Sequence, residues 1–221
     1  MIPATITCAL ATLVLVLAEW RGWGRARALA KYAASASFLV VGGLAWRGGT
    51  GGPAHAAYAG CILVGLAFGA IGDVALLGAS SRAFLAGLGA FLVGHLAYVV
   101  AIAYALPPAR WVGGAGPLAV LPILVGLGTV ALLWPRLGAM TLPVVAYLIA
   151  IVAMAIGAVA VWRTHALGAA EGTELAAGAA LFFASDVSVA RNRFVGDSIT
   201  NKAWGLPAYF AGQLLIAWSA R

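Results

Sequence analysis

Residues 68–98 read FGAIGDVALLGASSRAFLAGLGAFLVGHLAY, and this stretch decides the fold. Two apolar runs flank a short turn at Gly78–Arg82, so the segment reads as the end of one membrane helix and most of the next. Only one acid, Asp73, and one histidine, His95, interrupt the apolar surroundings. Ionisable groups at membrane depth are costly and point by default to function. Phe84, Gly87, Phe91, His95 and Tyr98 are spaced 3, 4, 4 and 3 apart, which lines them up on one helical face. On the preceding helix Gly65, Gly69 and Asp73 recur every fourth residue. Small residues above the acid let a neighbouring helix come close. The stretch therefore predicts two tightly packed helices that hold an acid and a histidine inside a bundle.

The rest of the chain has the same character. Of its 221 residues, 64% are hydrophobic and 9% charged, with a mean hydropathy of +1.03. Soluble domains carry about 25% charged residues, so this is an integral membrane protein, read as a single domain over 1–221. The net charge of +7 does not imply nucleic acid, because the basic residues are scattered singly. Topology and contact with anionic head groups of membrane lipids explain them better. Cys8 and Cys61 fall in apolar segments and read as packing residues, with no disulfide framework. No basic region precedes the first apolar run, which is read as a mature helix and not as a signal peptide.

A membrane helix needs about 20 apolar residues. Eight segments qualify: 2–20, 28–46, 55–78, 83–106, 115–134, 138–162, 173–190 and 203–220. Turn chemistry separates them at 47–53, Pro107-Pro108, Trp134-Pro135-Arg136 and Gly168–Gly172. Period-two alternation is absent, which argues against a β-barrel. The expected fold is all-α, a polytopic bundle of eight transmembrane helices. Arg21, Arg25, Arg27, Lys31, Arg82, Arg136, Arg191, Arg193 and Lys202 fall on one side. Arg47, Arg110, Arg163 and Arg221 fall on the other. The positive-inside rule then puts the first set in the cytoplasm and both termini outside, in a bacterial-type inner (plasma) membrane. Trp20, Trp23, Trp46, Trp111, Trp134, Trp162 and Trp204 near the helix ends read as interfacial anchors.

Asp73 and Asp186 each fall a few residues from the cytoplasmic end of a helix, roughly 6–8 Å below the boundary at 1.5 Å per residue. Two acids at one depth are candidates for a shared site; each is otherwise a structural acid bonded to a helix end or to a base. His95 lies deeper, as a packing histidine, a proton carrier or an orienting partner. His55 and His165 fall at the far face, so no zinc cluster is expected. Lys31 shares a face with Ser35 and Phe38. It snorkels to the interface, binds a lipid phosphate or pairs with an acid. Tyr147 and Met154 share a face in the sixth segment. Gln213, one turn from Tyr209, needs a partner inside the bundle. The run RNRFVGDSITNK at 191–202, with Asn192 among its polar residues, is expected as a loop, either solvated or forming a phosphate-binding rim. Ser185 beside Asp186 makes no triad by itself, and P-loop and nucleophile-elbow signatures are missing.

Together these residues resemble the YhhN-like membrane proteins, the lysoplasmalogenases. The resemblance rests on Gly72-Asp73, Phe84, Gly87, Phe91, Gly94-His95-Leu96 and Tyr98. It continues in Gly178–Phe183 with Ser185-Asp186, and in Tyr209–Ile216. Lys31, Tyr147 and Met154 match more weakly, and Tyr32 stands where the family usually has proline. The resemblance implies an eight-helix enzyme that cleaves the vinyl ether bond of lysoplasmalogens. Its products would be a fatty aldehyde and a glycerophospho-ethanolamine or -choline, with no metal or organic cofactor. Such a bond hydrolyses by protonation at carbon, and water traps the resulting oxocarbenium ion. That calls for one protonated acid and one ionised carboxylate. Asp73 and Asp186 are the expected pair, with roles unassigned, and His95 would orient an acid or relay a proton. Lys31, Tyr98, Tyr147, Ser185, Asn192, Tyr209 and Gln213 are the expected substrate contacts, with the lipid chain along Phe91 and Phe182. The alternatives are a non-catalytic lipid or solute carrier and a metal-dependent lipid hydrolase.

Overall fold

The computed structural model describes residues 1–49 and 51–221. Its long helices are α1 (Ile2–Arg21), α2 (Gly24–Gly48), α3 (Pro53–Ala75), α4 (Ser81–Ala105), α6 (Val120–Leu137), α7 (Thr141–Thr164), α8 (Ala169–Phe194) and α9 (Ile199–Trp218). A short α5 (Trp111–Ala115) with flanking 3₁₀ turns links α4 to α6. No strand occurs among the described residues. Six runs are long and apolar enough to cross a membrane; one of them is the continuous stretch Pro108–Thr164, and α9 lies outside the set.

Several boundaries differ from those read in the sequence. Trp134-Pro135-Arg136 does not break the chain: Pro135 is inside the last turn of α6, and the break comes at Gly138–Met140. Proline removes one backbone donor but does not by itself end a helix whose last carbonyls are already free. Gly138, at φ 50°, supplies the left-handed residue that does. The expected loop 191–202 is mostly helix. α8 runs on to Phe194 and α9 begins at Ile199, leaving only Val195–Ser198 between them. Asp186 is therefore two turns from the end of its helix, whereas Asp73 is two residues from the end of α3. Trp111 is no anchor: it is buried, and its indole donates to the Leu106 carbonyl at 2.8 Å. Trp20, Trp23, Trp46 and Trp134 are exposed as expected.

The long helices other than α6 close into a ring. α1 packs on α2, α2 on α3, α3 on α4, α4 on α7, α7 on α8, α8 on α9, and α9 back on α1 and α2. α6 leans on the outside, against α7 and α8. The outward faces stay apolar: Ile2, Ile6, Leu10, Leu13 and Leu17 of α1 are all exposed, as lipid contact allows.

The closest contacts are made by small residues. The Tyr98 ring occupies the space a Cβ on Gly65 would need, and a Cβ on Gly94 would lie 3.1 Å from the Gly65 carbonyl oxygen. Gly178 and Gly212 do the same for α8 and α9, each Cβ position falling 2.9 Å from the other's carbonyl oxygen. Backbones at this separation gain dispersion contacts along their length, the main attraction available where the solvent is also hydrocarbon. Gly178→Leu forces the α8–α9 pair apart and is expected to cost about 1–3 kcal/mol or more. Gly43→Ala, at an open site in α2, should be neutral or stabilising by about 0.5–1 kcal/mol. Thermal unfolding of the two variants in detergent checks the contrast.

Candidate active site

A cavity of about 990 Å³, counting its open mouth, lies among α2, α3, α4, α6, α7, α8 and α9. One end is polar and carries Lys31, Asp73, Ser185, Asp186, Asn192, Lys202, Tyr147 and Tyr209. The other end is apolar, with Leu133, Val144, Leu148 and Phe183 among its walls. The apolar end coincides with a second core cluster built by α6, α7 and α8, separate from the main core of the ring.

Asp73 reaches this cavity from the last turn of α3 and is almost fully buried. Its Oδ2 accepts from the Ser35 hydroxyl at 2.7 Å and from the Tyr209 hydroxyl at 2.8 Å. Lys31 Nζ lies 3.4 Å from Oδ1. Lys31 and Ser35 sit one turn apart on α2, so one helical face presents both groups to the acid. Of the readings open for Lys31, the structure selects pairing with an acid. The chain of contacts goes on through Tyr209 to Gln213, whose amide donates to the Tyr209 oxygen at 3.2 Å. Gln213 Oε1 in turn accepts from Tyr98 at 2.6 Å. Gln213 thus finds the partners it needs, but it and Tyr98 lie behind the cavity wall. They support Tyr209 and do not face a ligand.

Asp186 enters from α8 with different company. Its Oδ2 is 3.5 Å from Nε2 of His95. His95 is fully buried on α4, behind the wall, and its Nδ1 donates to the Phe91 carbonyl at 2.8 Å. The imidazole is clamped by Phe182, centroids 4.5 Å apart, and by Tyr147 at 5.0 Å. Asp73 and Asp186 therefore front the same cavity without sharing partners. Phe182, expected along the lipid chain, is spent on this clamp; Phe183 lines the apolar end, and Phe91 also lines the cavity.

Asn192 lines the mouth, yet its amide oxygen is committed to the α8–α9 turn. It accepts from the Ser198 backbone and from the Asn201 amide, both at 3.1 Å. Lys202 also lines the mouth and pairs with Asp197 at 2.9 Å and Glu19 at 3.3 Å. Arg27 lies 3.6 Å from Glu19 and donates to the carbonyl of Leu77, just past the end of α3. Arg193, expected on the basic rim, instead covers the Phe84 ring at 4.6 Å and donates to the Ser81 hydroxyl. Sequence reading did not single out Ser35 or Phe183 for the site, and it had Lys202 only as part of the expected basic rim. The i, i+4 spacing from Lys31 to Ser35 was the one available signal. Among the described residues no three His, Cys, Asp or Glu side chains cluster as a metal site requires.

Comparison with known proteins follows this geometry. The sequence profile of the YhhN family matches residues 3–220. Lysoplasmalogenase TMEM86A of Bos taurus is 37% identical over 167 residues, which cover 72% of this chain and 64% of that protein. The human protein of the same name is 38% identical over the same length. A lysoplasmalogenase of Mycobacterium tuberculosis is 33% identical over 142 residues, 61% of this chain and 49% of its own. The chain thus spans less than two thirds of these relatives. No solved structure matches.

Removing one member of a buried ion pair strands the other, at a cost of about 3–5 kcal/mol. Lys31→Met is therefore expected to lower stability in detergent by that order. Adding Asp73→Asn to Lys31→Met should restore much of the loss, because the stranded charge is gone. A double-mutant cycle on unfolding free energies reads the coupling.

Proposed function

The chain belongs to the YhhN family, and from that premise we propose that it is a lysoplasmalogenase-type hydrolase. In this reading it cleaves the vinyl ether bond of a lysophospholipid to a fatty aldehyde and a glycerophospho-ethanolamine or -choline. The observation that carries the proposal is the cavity: a buried and a partly buried carboxyl group front one space that is polar at one end and apolar at the other. A lysolipid has the same division, and its vinyl ether joins the two parts. The names of the relatives support the reaction class.

In this reading all eight long helices span the membrane, both termini lie outside, and the polar end of the cavity faces the cytoplasm. The basic residues near Gly24, Ser81 and Ile199 support that orientation. Asp73 and Asp186 carry the acid–base chemistry, and His95 positions Asp186. Tyr147, Tyr209 and Ser185 lie where the ether and the attacking water would sit. Lys31 is buried against Asp73, so the phosphate falls to the more exposed Lys202 at the mouth, which would exchange an acidic partner, Asp197 or Glu19, for it. The chain runs past Phe91 toward Phe183 and Leu148.

The test is aldehyde release by purified protein in detergent, from lysoplasmenyl-ethanolamine and from its saturated-ether analogue. Release is expected from the vinyl ether alone. Asp73→Asn and Asp186→Asn should each lower it by at least a hundredfold in folded protein. Lysolipid binding without aldehyde release would replace the enzyme by a carrier, and full activity in both variants would remove the aspartates from the chemistry.

A further inference from the structure

The two carboxyl groups differ in their donors, and the difference assigns a proton. Asp73 receives two hydroxyl hydrogen bonds on one oxygen and an ammonium beside the other. A carboxylate satisfied in this way is held in its ionised form. Asp186 Oδ2 has no hydrogen-bond donor among the described residues, and neither it nor His95 Nε2 is exposed to solvent. The Tyr147 hydroxyl adjoins the Asp186 carboxyl, but it leaves Oδ2 without a donor.

The tautomer of His95 follows from its other nitrogen. A backbone carbonyl only accepts, so Nδ1, 2.8 Å from the Phe91 oxygen, carries a hydrogen. In the neutral ring Nε2 then presents a lone pair to Asp186. Two bare acceptors facing each other at 3.5 Å would repel, and one proton between them removes the repulsion. Placing it on the imidazole would create a buried charge pair with no donor on the carboxylate beyond the Tyr147 hydroxyl, which is the costly way to bury ions. Placing it on the carboxyl leaves both groups neutral and satisfied.

We propose that Asp186 is the protonated acid of the site, its proton held against Nε2 of His95, and that Asp73 is the ionised carboxylate. The assignment rests on the vinyl ether reaction proposed above. Asp186 lines the cavity and His95 does not, so Asp186 is the catalytic residue and His95 the positioning one. The Asp186 proton forms a bond to the outer vinyl carbon with the electron pair of the double bond. The cation left on the ether-bearing carbon is shared with the ether oxygen and faces the Asp73 carboxylate. Water adds to that carbon and gives one proton to Asp186, which restores the acid. The remaining hydroxyl proton passes to the ether oxygen as the carbon–oxygen bond breaks, giving aldehyde and alcohol.

The test reads the proton itself. Asp73, Asp186 and Asp197 are the only aspartates in the chain, so carboxyl-labelled aspartate reports on three groups, of which Asp197 is exposed and paired with Lys202. Infrared spectra of the labelled protein in neutral buffer should show a label-sensitive carbonyl band of a protonated carboxyl. The band should persist in Asp73→Asn and vanish in Asp186→Asn. Should Asp186→Asn fail to fold, His95→Gln serves, because it touches Asp186 and not Asp73 and should move the band. Absence of the band from the wild type, its loss in Asp73→Asn alone, or a band unmoved by His95→Gln overturns the assignment. The spectrum needs no substrate. A band with the expected behaviour but no aldehyde release rejects the reaction and keeps the proton on Asp186. Aldehyde release without the band rejects the placement alone.

Discussion

The Asp73 carboxylate joins three helices that the membrane alone would not order. α2 brings Lys31 and Ser35 to it, α3 carries it, and α9 adds Tyr209. In hydrocarbon, hydrophobic burial cannot tell one helix face from another, because lipid is as apolar as leucine. A buried charge can, since only one rotation of each helix satisfies it. Much of the ring's register follows from this contact. Gln213 and Tyr98 extend the same network to α4, so four helices are set by one connected set of polar groups.

Small residues make that network reachable. Gly69 stands directly beside the Gln213 amide, and Gly65 lies under the Tyr98 ring. A larger side chain at either position would hold α4 and α9 away from α3 and break the hydrogen bonds that specify their rotation. Close packing and polar specificity are therefore one arrangement here. The apolar part of the cavity lies where the arrangement stops, at the side covered by α6, which packs mainly on α7 and α8.

The sequence made the helices and their buried faces legible because period and composition are local properties. The α3–α4 face of Gly65, Gly69, Asp73, Phe91, His95 and Tyr98 came through intact, as did the need of Gln213 for a partner. Partner choice was not legible. Lys31 had three uses open to it, and only the approach of α2 to α3 selects one. The expected loop at 191–202 misled because its polar residues look solvated. Asn192 and Asn201 in fact bond each other across a four-residue turn, and that pairing lets both helices run longer. Trp111 read as an anchor because it lies near an expected helix end, yet it is folded inward after the 3₁₀ turn at Pro108–Arg110. Phe182 and Phe183 are adjacent, and a one-residue step on a helix turns the side chain by about 100°. Periodicity could not say which of the two faces the cavity.

That step also bears on how two carboxyl groups that front one cavity could hold the different states proposed for them. Phe182 lies against His95, Phe91 and Tyr209, with centroids 4.5, 6.2 and 5.3 Å away, and Phe91 meets Tyr209 at 5.7 Å. The aromatic group stands between the His95–Asp186 pair and the Tyr209–Asp73 network. It gives neither side a donor or a charge, so each carboxyl answers only to its own partners. Like charges forced together would leave one proton shared between them. Rings between their partners keep the two networks separate, which suits the proposed division of a proton on one acid and a charge on the other.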